Sequence, residues 1–87
     1  MKVENMTGRT GKPVANQFKV QTDKGLYFQS YGSVIAFKPR SGKVQLDRNT
    51  WDYSVTTGKY RNEFLREGKK ETEAKIKSCE YELVDLN

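Results

Sequence analysis

Phe18-Lys19-Val20-Gln21-Thr22-Asp23-Lys24-Gly25-Leu26-Tyr27-Phe28-Gln29-Ser30-Tyr31 is the stretch that decides the fold. Its apolar residues recur at every second position on both sides of Asp23-Lys24-Gly25, the pattern of two antiparallel strands joined by a tight turn. Leu26 and Phe28 fall on one face of the second strand, and Tyr27, Gln29 and Tyr31 on the other. Downstream, Ser33 to Lys38 is apolar on both faces (Val34, Ile35, Ala36, Phe37) and reads as a central strand. Pro39-Arg40-Ser41-Gly42 turns the chain, and Lys43 to Asp47 reads as a fourth strand. Upstream, the first strand begins at Val14. Residues 1–13 read as an N-terminal extended segment around Val3 followed by a loop, because Gly8, Gly11 and Pro13 fall within six residues.

The period changes in the second half. Thr56 or Thr57 is placed to N-cap a helix, since a threonine hydroxyl accepts an orphan backbone N–H. Tyr60 and Phe64 lie four apart with Leu65 beside them, forming the buried stripe of a helix that ends near Gly68. Glu71 to Ser78 predicts a second helix, with Glu71–Lys75 and Glu73–Lys77 in the favourable order for pairing four residues apart. Glu80 to Leu86 alternates again, with Tyr81 and Leu83 on one face, and reads as a returning strand. The fold class is therefore α+β: an antiparallel four-stranded meander followed by two short helices and a returning C-terminal strand, with residues 14–87 as a single α+β domain.

Composition narrows the chemistry. The chain has 87 residues, enough for one core. Leu, Ile, Val and Phe make up about a fifth of it, just above the roughly 20% floor typical of disorder. Ten aromatic residues supply the remaining core material. Histidine is absent, which removes Ser–His and Cys–His nucleophilic pairs. One cysteine allows neither an internal disulfide nor a Cys-rich zinc site, and Cys79 reads as a small filler. No apolar run approaches the roughly 18 residues of a membrane span, and no signal-peptide core opens the chain. The expected setting is cytoplasmic, with no membrane partner and no cofactor or metal. The net charge is +5. The first 48 residues hold nine basic and three acidic side chains, so the basic bias belongs to the N-terminal part.

Several motifs are weak on inspection. Gly8-Arg9-Thr10-Gly11-Lys12 has two residues between its glycines where a phosphate loop needs four, and Pro13 follows the lysine. Lys24-Gly25-Leu26-Tyr27-Phe28 partly matches an RNA-recognition strand, but a turn stands where that fold has a helix. Glu73-Ala74-Lys75 has a nuclease-like spacing on a helix, where ordinary charge pairing explains it, and Asp47 and Asp52 have only proximity in sequence to recommend them as metal ligands.

Trp51 to Leu65 carries the most information. Core packing explains Trp51, Tyr60, Phe64 and Leu65, but explains Asp52, Tyr53, Lys59, Arg61 and Asn62 poorly. With Tyr27 to Tyr31, Ile35-Ala36, Gly42 to Val44, Glu71-Thr72 and Leu83 to Asn87, this segment resembles a family of small, mostly uncharacterised bacteriophage and prophage proteins, over roughly residues 16–87. The chain departs from that pattern at Cys79, where glycine is expected, and in the bulkier, more basic turn Phe37 to Ser41.

The resemblance implies a setting in the cytoplasm of an infected or lysogenic bacterium. There a small protein works by occluding a host protein surface, as an anti-defence or host-takeover inhibitor, with an anti-CRISPR protein as the most concrete version. The residue types suited to such a protein-binding surface are Tyr27, Tyr31, Trp51, Tyr53, Lys59 and Arg61. Two alternatives stay open. One is a nucleic-acid surface of Lys38, Arg40 and Lys43 with Tyr27 and Tyr31 as stacking platforms. The other is sequestration of a small anionic signal by Arg61 and Lys59. An enzyme is not expected, and the sequence leaves monomer and edge-paired homodimer open.

Overall fold

A computed structural model describes residues 1–8 and 10–87. One six-stranded sheet runs in chain order: β1 (Lys2–Thr7), β2 (Pro13–Gln21), β3 (Gly25–Ser30), β4 (Ser33–Pro39), β5 (Gln45–Asp47) and β6 (Glu82–Val84). Strands β1 to β5 pair antiparallel, and β6 lies parallel to β5 after the crossover through α1 (Val55–Leu65) and α2 (Lys69–Lys77). The architecture is α+β, as the sequence predicts. The extended segment around Val3 is the first strand of this sheet, with Val3 opposite Val20. Arg9, in the weak phosphate-loop motif, lies outside the described residues.

The helices cover one face of the sheet. Phe28, Ile35, Ala36 and Leu46 from the strands meet Tyr60, Phe64 and Leu65 from α1 and Tyr81 at the entry to β6. Phe28 and Phe64 stack with their ring centres 5.6 Å apart. A register shift in the β3–β4 pairing skips Ile35 and lets both Ile35 and Ala36 enter this core. Gln17 also points inward, and its carboxamide has no hydrogen-bond partner among the described residues. Such a group costs roughly 1–3 kcal/mol.

Local details differ from the sequence expectation. Ser54, in extended conformation, is the N-cap of α1 and accepts the Thr57 N–H at 3.1 Å. Thr57 is instead fully buried, with its hydroxyl 2.9 Å from that of Ser30. The helix stops at Leu65 because Arg66 adopts a left-handed conformation, three residues before the expected end near Gly68 is complete. Lys75 pairs with Glu67 and Glu80, not with Glu71.

The glycine expected at position 79 has a physical reason in the backbone of Cys79. It sits at φ 65°, in the left-handed region that favours glycine. Cys79→Gly is expected to raise unfolding free energy by about 0.5–1 kcal/mol, since glycine relieves the strain but adds entropy to the unfolded chain. Urea midpoints compare the two chains; an unchanged or lower midpoint contradicts the expectation.

Candidate functional site

A groove of about 730 Å³ opens where the 51–54 loop meets the first turn of α1 and the start of α2. Its rim carries Tyr53, Val55, Lys59, Glu63 and Lys69. Val55 is 92% exposed and Tyr53 48% exposed, so a bare apolar pair stands at the mouth. The position of Val55 follows from the cap: with Ser54 closing the helix, Val55 is the first helical residue and has no preceding turn to pack on.

Arg61 holds the floor of this groove. Only 1% exposed, it donates to the Trp51 carbonyl at 2.6 Å, to Asn62 Oδ1 at 3.0 Å and to Asp52 Oδ1 at 3.4 Å. Its guanidinium also lies 5.2 Å from the Trp51 ring centre. The other Asp52 oxygen accepts from Lys69 Nζ at 2.8 Å, which ties the loop to α2. Lys69 donation leads the effects that hold the Asp52 carboxyl below its ordinary value, opposed by burial and aided by Arg61. Arg61, selected from sequence as an interface anchor, is thus internal framing, and its two terminal nitrogens are already engaged by protein acceptors.

The six residues selected for protein binding do not converge on one face. Trp51 is half-buried, Tyr53 and Lys59 are exposed at the groove, and Arg61 lies beneath them. Tyr27 is on the helix-free side of the sheet, stacked on Phe37 at 4.2 Å. Tyr31 is exposed in the β3–β4 turn. The alternative nucleic-acid set is also divided. Lys38 is on the helix side, over the Phe64 ring and donating to the Phe64 carbonyl. Arg40 and Lys43 are exposed beyond the far end of β4 from Tyr31. Lys38 does have cationic neighbours: burial first, then Arg66 and Lys19, push its pKa down. Asp47 and Asp52 serve separate donor sets, since Asp47 accepts from Asn49, Thr50 and Leu86.

Sequence reasoning missed Val55 and Lys69. The available signal was Ser54: as a cap it places the adjacent valine on a bare first turn, whereas a Thr56 or Thr57 cap leaves Val55 outside the helix.

A family model described as "Family of unknown function (DUF8033)" matches residues 1–81. No curated protein and no solved structure matches the chain.

Proposed function

We propose, from the premise that the chain belongs to the DUF8033 family of unknown function, that it is a non-enzymatic protein-binding module whose docking site is the Tyr53–Val55 groove. One observation carries this reading: an exposed apolar pair, ringed by Lys59, Glu63 and Lys69, sits at the mouth of a groove framed by buried Arg61. An apolar centre with a charged rim is the anatomy of a protein interface. The +5 net charge favours a partner with an acidic surface. Resemblance to phage and prophage proteins supports the finer reading, occlusion of a bacterial host protein in the host cytoplasm as an anti-defence or takeover inhibitor. No helix of the described residues is long and apolar enough to cross a membrane.

The test is capture from bacterial lysate with and without nuclease, comparing wild type with Val55→Glu and Tyr53→Ala. A host protein retained after nuclease and reduced at least about tenfold by either substitution supports the groove. Retention indifferent to both substitutions refutes it.

A second reading, nucleic-acid binding, is favoured by the grouping of Lys19, Lys38 and Arg66, none of which has an ion-pair partner among the described residues. It requires capture that vanishes with nuclease and an affinity that falls steeply with salt.

A further inference from the structure

The β1–β2 hairpin has its amphipathic sides arranged opposite to the rest of the sheet. Lys2, Glu4, Lys19 and Gln21 share the helix side, where they line a small surface cleft with Leu26. Val3, Phe18 and Val20 therefore project from the helix-free side, and with Met1 and Gln29 they border an open cavity of about 370 Å³. Pairing carries the same row onward: Val3 stands opposite Val20, Val20 opposite Tyr27, and Tyr27 opposite Phe37. Phe37 is buried yet lies outside the helix-side core, covered by the Tyr27 ring instead. At the other end of β4 the Asn87 side chain bonds both backbone groups of Val34, and the Leu86 N–H bonds Asp47. Val3 remains 57% exposed.

None of the side chains on this face of β1 to β4 carries a charge, although charged residues make up 31% of the chain. We infer that this helix-free face is the seat of a second copy of the same chain, the two sheets packing face to face about 10 Å apart. Charge selects that occupant. A chain of net charge +5 repels its own copies wherever cations meet, and an uncharged face is where two copies approach without that penalty. An acidic partner recruited by the net charge finds no cation here to pair with.

Area sets the strength. Four strands about 4.8 Å apart and five residues at about 3.3 Å give roughly 300 Å² per copy in projection, or about 600 Å² in total, below the roughly 1,000 Å² of a stable interface, so the dimer is weak and transient. This surface is separate from the Tyr53–Val55 groove, so either assignment can fail alone.

Sedimentation equilibrium from about 10 µM to about 500 µM, the range suited to a small interface, tests the inference. The expected weight-average mass climbs from 10.0 kDa toward twice that value. Sodium chloride does not weaken the association and ammonium sulfate strengthens it, as apolar burial requires. Val3→Glu, at an exposed position, keeps the chain monomeric at every concentration with an unchanged circular dichroism spectrum; Phe18→Gln repeats the result at a second position. A mass of 10.0 kDa throughout overturns the inference. So does a dimer indifferent to both substitutions, or one that salt dissociates. A monomer that captures a different protein through Val3 and Phe18 overturns the second-copy assignment as well.

Discussion

Glu67→Ala is expected to lower unfolding free energy by about 3 kcal/mol, because it deletes a buried acceptor on which three donors converge. Thr72 Oγ1 donates to one Glu67 oxygen at 2.6 Å, while Lys75 Nζ at 2.6 Å and Tyr81 Oη at 2.8 Å donate to the other. These bonds join the α1–α2 turn, the body of α2 and the entry to β6. Apart from Glu67, α2 is held by half-buried Ile76 against the core and by the Lys69–Asp52 pair; its only fully buried residue, Thr72, is itself one of the donors. In a domain of this size the loss corresponds to a melting temperature lower by about 12 °C or more. A melt within a few degrees of wild type contradicts the assignment.

The same carboxylate supplies a pH signature. Burial pushes the Glu67 pKa up, but donation by Lys75, Thr72 and Tyr81 outweighs it and holds the group below its ordinary 4.5. Asp47 behaves alike: burial raises it, and bonds from Leu86, Thr50 and Asn49 hold it below 3.8. A carboxylate depressed in the folded state contributes stability that is complete above its unfolded pKa and is lost as pH falls through the folded one. Stability is therefore level near neutrality and falls below about pH 4.5. Glu67→Gln should be less stable than wild type at pH 7, and the gap should close in acid as the wild-type carboxyl takes up its proton. Denaturation at pH 7 and pH 3 measures both. A constant gap refutes the linkage.

Arg61→Ala is expected to cost about 3 kcal/mol and to release the 51–54 loop, since it breaks a buried, multiply bonded charge and a stacking contact at once. Wild-type Arg61 closes the Trp51 carbonyl, Asn62 and Asp52 into one unit and lies against the Trp51 ring. Arg61→Lys should recover little, because an ammonium has neither the planar fork nor the stacking face. Trp51 is the only tryptophan, so its emission reports this loop directly. Both variants should show a red-shifted native spectrum and a lower denaturation midpoint. Wild-type emission in Arg61→Ala would show that the loop stands without its guanidinium. Binding through Tyr53 and Val55 should weaken with loop release although Arg61 is buried, which separates framing from contact.

The chemistry of the groove was partly legible. Asp52, Arg61 and Asn62 stand out in the sequence as polar residues that packing alone does not require, and the structure gives each a bonding role. The direction in which they point was not legible. A polar residue unexplained by packing reads the same whether it faces a partner or a neighbouring loop, and only the 2.6 Å bond to the Trp51 carbonyl decides for Arg61. Tyr27 and Tyr53 illustrate the same limit. Both are tyrosines suited by residue type to the same protein-binding surface, yet one lies on the helix-free side of the sheet and the other at the groove.

Local chemistry determined the meander, the two helices and the returning strand. The period of apolar residues is a property of neighbours along the chain, and Asp23-Lys24-Gly25 and Pro39 to Gly42 bend the backbone by their own conformational preferences. The glycine that the resemblance leads one to expect at position 79 is accounted for by the positive φ of Cys79. Tertiary structure alone decided which side of each strand faces the helices. Alternation separates two faces of a strand without saying which is inward, and the β1–β2 hairpin takes the choice opposite to the apolar rule, with Gln17 buried and Val3 in solvent. That choice belongs to the crossover: α1 and α2 return over the side carrying Phe28 and Leu46, and leave the Val3–Phe37 row for another surface to cover.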